Sequence, residues 1–269
     1  MKTILLHIAD DNGMESRLQV ALDIAPAQEA HLTCLHPTSH FTPLPYPPLA
    51  GQFLADIHFS EWQDMERAHR EKIEARLNQE DVPWSWQIGL GDPATLLAEQ
   101  SGLADLLIVS QTAAKKTRDG DPLPIAGDVA IHANTATLVV PVDCPTFDST
   151  KPIVAAWNGS KEASCAIRFG LPMLKLASEI FVVTIDEGAE IPPLDASSYL
   201  SRHGITSELH QLSAKKRKVS KVIEEFAREK NAGAIVMGAY GHSRLRETLM
   251  GGVTREQLFK SKLPLLMGH

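Results

Sequence analysis

With 269 residues, the chain exceeds the roughly 100–150 of one typical compact domain and suits two. Its composition, 43% hydrophobic and 22% charged, is that of a globular chain with material for a sizeable core. A formal net charge of −7 excludes a general binder of nucleic acid or anionic membrane, which needs a positive field against phosphate; a small anionic ligand held by local donors stays open.

In chain order, Thr3 to Ala9 is an apolar run of buried-strand length, followed by the polar turn Asp10-Asp11-Asn12-Gly13. Leu18, Ala21, Leu22 and Ala25 recur at helical spacing, and His31 to His36 forms a second strand. Strand, turn, helix and strand in that order predict a parallel crossover covered on both faces. Thr42 to Pro48 is proline-dense and predicts a stiff surface connection. Phe59 to Gln79 then predicts a charged amphipathic helix, Trp84 to Leu90 a strand and Pro93 to Gln100 a helix with proline in its first turn. Trp84 and Trp86 share one face of their strand, as core residues would. Ala104 to Val109 and Thr137 to Val140 are two further apolar strands, and Val142 to Ser149 is the natural linker.

The same order then recurs. Pro152 to Trp157 is a strand, Asn158-Gly159-Ser160 a turn with Ser160 suited to cap a helix, Ala163 to Leu176 a helix and Glu179 to Asp186 a strand. Leu194 to Arg202 and Val219 to Glu229 are helices on either side of a strand at Thr206 to Leu212, and Ala232 to Met237 and Pro264 to Met267 are the last strands. A repeat with a period near half the chain means a duplicated domain rather than a solenoid. The fold class is therefore α/β: two doubly wound, open, five-stranded parallel-sheet domains over residues 1–142 and 151–269.

One segment in the second half carries chemistry. After Met237 the chain runs Gly238-Ala239-Tyr240-Gly241, nine residues, then Gly251-Gly252-Val253-Thr254 and a helix over Arg255 to Lys260. Glycines at a strand's carboxyl end let backbone approach a ligand without an intervening Cβ. Free N–H groups at the next helix start hold phosphate, aided by the helix dipole. The G-x2-G-x9-G spacing between an apolar strand and a helix resembles the ATP-binding subclass of the universal stress protein family, and the resemblance spans the chain as two such domains.

The resemblance implies an adenine-nucleotide α-hydrolase-like fold. It implies a site built from Ala156, Trp157 and Asn158 at the end of the first strand, Thr184 at the end of the second, and Met237, Gly238, Gly241, His242, Gly251, Gly252, Val253 and Thr254 around the glycine loop. ATP, ADP or AMP is the implied ligand. Gly252 stands where the family usually has Ser or Thr, with Thr254 able to supply a hydroxyl nearby. Asn158 stands for the family's Asp, keeping hydrogen-bonding capacity but losing the charge that would help to hold magnesium. The two halves are expected to pair through their last strands as an intrachain pseudo-dimer, with a homodimer of whole chains and an unidentified protein partner as further expectations.

In the first half, Asp10 takes the place of the family's Asp, but Ser110 and Ala113 replace the first two glycines. Between Ala113 and Gly127 the spacing stretches from nine residues to thirteen, and Asp128 falls at the Ser/Thr position, where a carboxylate would repel phosphate. The first site is therefore expected to be degenerate. The run Lys215 to Lys218 fits a solvated loop better than a phosphate clamp, whereas His242, Ser243, Arg244 and Arg246 lie inside the glycine loop, where Arg suits phosphate best.

The chain has no GxSxG or Walker-type lysine loop, and no pair of histidines stands with a carboxylate at ligand spacing, so His7, His36 and His132 read as surface or satisfied core residues. The expectation is a regulatory nucleotide binder, not an enzyme. The alternatives are an interaction protein with a vestigial loop and, more weakly, a slow ATP hydrolase. Cys34, Cys144 and Cys165 show no CxxC or metal spacing and read as reduced thiols. With no apolar stretch of about 18 residues and acidic residues too early for a signal core, the expected location is the cytoplasm.

Overall fold

The computed structural model describes residues 1–38, 51–112, 124–186, 194–215, 217–240 and 252–269, with backbone alone at 51–63, 186 and 194. The first half contains β1 (Thr3–His7), α1 (Met14–Gln28), β2 (His31–Thr38), α2 (Gly51–Leu77), β3 (Trp84–Leu90), α3 (Pro93–Gln100), β4 (Leu106–Ser110), α4 (Ile125–His132) and β5 (Ala136–Val140). The second repeats the order with β6 (Ile153–Ala156), α5 (Lys161–Leu174), β7 (Ile180–Asp186), α6 (Leu194–Arg202), β8 (Glu208–Ser213), α7 (Val219–Glu229), β9 (Ala234–Gly238), α8 (Gly252–Lys260) and β10 (Leu265–Gly268).

The two five-stranded sheets expected from the sequence are joined into one ten-stranded sheet, in the order β3-β2-β1-β4-β5-β10-β9-β6-β7-β8. Every pairing within a half is parallel, and the junction is antiparallel, with Leu265 opposite Val139, Leu266 opposite Leu138 and Met267 opposite Thr137. The expected pairing of last strands is thus present. It follows from edge chemistry: two short apolar strands satisfy each other's N–H and C=O groups and leave no sticky edge in the middle of the chain. An antiparallel junction between like halves creates a local two-fold relation.

The central strands are apolar on both faces because helices cover both. Ile4, Leu6, Leu138, Ala155 and Leu266 belong to the cluster on one face, with α1 and α5; Leu5, Val139, Val154, Leu265 and Met267 belong to the other, with α4 and α7. Both clusters run through the junction, so the core is shared. Close packing there depends on Gly170 of α5, where a Cβ would lie 2.7 Å from the Leu266 side chain.

Several boundaries differ from the sequence reading. Helix α2 starts at Gly51 rather than Phe59, β1 ends at His7, β8 runs Glu208–Ser213, and α8 begins at Gly252 rather than Arg255. The proline run at 42–48 lies outside the described residues. The linker is no loose tether. Cys144 and Phe147 are buried, and the Asp23 carboxylate on α1 accepts from Thr146 Oγ1 at 3.0 Å and Phe147 N at 2.7 Å. Among the described residues, no helix is long and apolar enough to cross a membrane.

Candidate nucleotide site

In the second half β6 has β9 on one side and β7 on the other. The chain leaves β6 for β7 and returns to β9 on the opposite side, so β6 and β9 flank a topological switch point. Crevices at the carboxyl ends of such strands receive ligands in open α/β sheets. Most of the candidate residues lie at this edge.

Ala156 closes β6, and Trp157, largely buried, continues the ladder by donating from N to Val183 O at 2.8 Å. Asn158 Oδ1 accepts from Ser160 N at 3.1 Å, an Asx turn closed by Gly159 at φ 73. Ser160 caps α5, its hydroxyl accepting from Ala163 N at 3.1 Å. Thr184, at the carboxyl-terminal end of β7, is buried, and its hydroxyl has no hydrogen-bond partner among the described residues. A buried unpaired hydroxyl costs free energy unless something supplies the missing bond.

Met237 and Val253 pack into the apolar cluster below the sheet. Gly238 ends β9 directly against α5: a Cβ there would lie 2.6 Å from Ala163 N. Its glycine is therefore demanded by helix packing. Gly252, at the start of α8, has no described residue within 4 Å of its Cβ position. The ends of the loop are tied together, because Tyr240 N donates to Thr254 Oγ1 at 3.2 Å. The Thr254 hydroxyl accepts that bond with Thr254 itself buried. Tyr240 takes a left-handed backbone, φ 59, and its buried phenol has no hydrogen-bond partner among the described residues; burial pushes that phenol up to about 12. Gly241, His242, Ser243, Arg244, Arg246 and Gly251 lie outside the described residues.

Two cations of the basic run are spent on its neighbours. Arg217 pairs with Glu225 at 2.6 Å and Lys218 with Glu256 at 3.1 Å. Lys216 lies outside the described residues. Among the described residues, no group of three or more His, Cys, Asp or Glu side chains could hold a metal ion.

The first half differs at each equivalent position. Leu107 pairs Thr137 and Ile235 pairs Leu265 at the same sequence separation. The loop is therefore not stretched: along the sequence, Ser110 counts to Gly238 and Leu123 to Gly251. Asp128 counts to Glu256, inside α4, where it pairs with His132 at 3.0 Å. The expected carboxylate at a phosphate position is thus a misalignment caused by choosing Gly127 as the third glycine. Asp10 also shifts. Ile8 N bonds Leu35 O as Trp157 N bonds Val183 O, so Asn158 counts to Ala9, and Asp10 follows with its side chain 92% exposed.

The sequence reading missed Arg17. It is fully buried and fills the corner between the ends of β1 and β4. Its Nε donates to His7 O at 2.6 Å, Nη2 to Ala9 O at 3.0 Å, and Nη1 to Asp11 Oδ1 at 2.7 Å and Ser110 Oγ at 2.9 Å. The chain's own cation thus occupies the polar corner of that half. Its helix phase held a signal, since Arg17 continues the apolar stripe of Ala21 and Ala25.

Residues 149–269 match the family model described as the universal stress protein family. Among solved structures, a universal stress protein from Archaeoglobus fulgidus DSM 4304 superposes with a TM-score of 0.67 at 15% identity, over 98% of this chain and 97% of that one. A candidate universal stress protein from Pseudomonas aeruginosa UCBPP-PA14 superposes at 0.57 and 17% identity, over 98% and 92%. A functionally unknown protein from Pseudomonas aeruginosa PAO1 does so at 0.56 and 16%, over 98% and 91%. At such identities the likeness is one of fold. A search of curated proteins found no match.

Proposed function

We propose that residues 149–269, which match the universal stress protein family model, bind one adenine nucleotide, ATP, ADP or AMP, at the carboxyl edge between β6 and β9. Occupancy would serve as a regulatory signal rather than a catalytic step. The observation that carries the reading is the placement of the glycine spacing: it begins where β9 ends and closes where α8 begins, with no described residue within 4 Å of a Cβ at Gly252. The N-terminus of α8 then offers N–H groups to phosphate. Thr184, whose hydroxyl has no partner among the described residues, stands at the end of β7, where the base is expected. Asn158 supports a ribose contact through hydrogen bonding alone, so the reading does not depend on a metal ion.

Residues 1–142 form the companion domain in this reading, with Arg17 in place of a ligand. The chain acts in the cytoplasm as a dimer with a protein partner that senses nucleotide occupancy. A second reading, a nucleotide-independent interaction protein, is favoured by Gly238, whose glycine is explained by α5 without any ligand.

Thermal unfolding with and without millimolar ATP, ADP and AMP separates the two. Ligand at about 100 times its dissociation constant adds about 2.7 kcal/mol. A raised midpoint with at least one nucleotide supports the first reading. No shift with any of the three, in protein free of co-purified nucleotide absorbance, leaves the second.

A further inference from the structure

The local two-fold relation at β5 and β10 creates two equivalent grooves, and the chain fills only one. The filled groove lies between α1 and the amino ends of β9 and β10. The linker runs along it: Val142 O accepts from Ser16 Oγ at 2.7 Å, Asp143 stands 3.8 Å from Lys262 Nζ, and Asp23 holds Thr146 and Phe147. Phe147 and Cys144 are its apolar anchors. Further along, the Asp148 carbonyl lies 3.3 Å from where a Cβ on Gly233 would be.

Counting from the paired strands, Gly233 corresponds to Asp105 and Lys262 to Asn134. Both of these line a second groove of about 690 Å³ between α5 and the amino ends of β4 and β5. No described segment fills it. Its α5 wall presents Leu171 and Pro172, both half-buried, flanked by the exposed cations Arg168 and Lys175. Neither cation has an ion-pair partner among the described residues. The Asp105 carboxylate is already engaged by the backbone N–H groups of Lys2 and Thr3. The filled groove meets the linker's Thr146 hydroxyl and Phe147 N–H with an anion, Asp23; the open one offers cations beside an apolar floor.

We propose that this open groove docks an extended acidic segment of a partner protein, laid as the linker lies in its twin. An apolar or aromatic anchor would sit on Leu171 and Pro172, with carboxylates facing Arg168 and Lys175. The inference is independent of the nucleotide site.

The probe is a fluorescein-labelled peptide of residues 141–150 with Cys144 replaced by serine, titrated by fluorescence polarisation against the full chain. Saturable binding is expected with a dissociation constant below about 1 mM, weakened about tenfold by Arg168→Glu with Lys175→Glu. A peptide with lysine at positions 143 and 148 should restore binding to that variant. Arg168→Gln and Lys175→Gln alone should each weaken it a few-fold, which keeps the test intact if the double variant folds poorly. Absence of saturable binding overturns the proposal. So does binding that ignores charge reversal, because the peptide would then be displacing the linker or adhering elsewhere. If the reversal instead abolishes self-association of the chain in sedimentation and leaves peptide binding unchanged, the occupant is a second copy and the proposal fails.

Discussion

Replacing Gly238 and Gly252 separately by alanine divides packing from ligand contact within one loop. At Gly238 the new methyl would lie 2.6 Å from Ala163 N and 2.8 Å from the Glu162 carbonyl carbon, where ordinary contact begins at 3.4 Å. The first turn of α5 must retreat by about 0.8 Å, and backbone cannot swing aside as a flexible side chain does. Overpacking of this kind costs about 1–3 kcal/mol. At roughly 2–4 °C per kcal/mol for a chain of this size, Gly238→Ala should melt about 2–12 °C below wild type without nucleotide. At Gly252 no described residue lies within 4 Å and the backbone is not left-handed, so alanine enters freely and favours the helix slightly. Gly252→Ala should therefore keep or slightly raise the ligand-free midpoint. The assay is thermal unfolding followed by circular dichroism, without ligand. A Gly238→Ala midpoint within about 1 °C of wild type would refute the packing argument, as would an equal loss at Gly252→Ala.

Arg17→Met should destabilise the chain by about 2–4 kcal/mol in urea unfolding, because buried carbonyls of His7 and Ala9 lose charged donors; a loss below about 0.5 kcal/mol would show that the corner is wet. His7 is buried beside Arg17, and burial first, then that cation, pushes its imidazole down to about 3. Its folded value lies below the ordinary 6.5, so its contribution is complete above pH 6.5 and is lost as pH falls toward 3. The loss approaches about 1.4 kcal/mol per pH unit. Unfolding free energies at pH 7 and 5 should therefore differ less in His7→Leu than in wild type; an equal difference would assign the acid sensitivity elsewhere.

Much of this architecture is legible in the chain. Apolar runs such as Ile4 to Leu6 and Ile235 to Met237 mark strands covered on both faces, and Thr137 to Val140 against Leu265 to Met267 announce their own pairing as edges that must not stay bare. The misses have physical causes. Cys144 and Phe147 are single apolar residues among Asp143, Thr146 and Asp148, without periodicity to betray their burial. Arg17 carries a charge that composition assigns to the surface, and only a ring of carbonyl oxygens, invisible before folding, makes it a core residue. Gly127 attracted the third-glycine assignment because glycine is conspicuous, although Leu123 occupies that count. At the site, spacing located the loop ends, but whether Gly238 serves a ligand or a helix depends on a distance that no spacing encodes.

The most direct measurement of the central claim is the stoichiometry of nucleotide binding by isothermal titration of ATP, ADP and AMP into nucleotide-free full-length protein. A single site in the second half, with Arg17 filling the corner of the first, predicts one nucleotide per chain for at least one of the three. Two per chain would contradict the filled corner, and none would contradict the site itself.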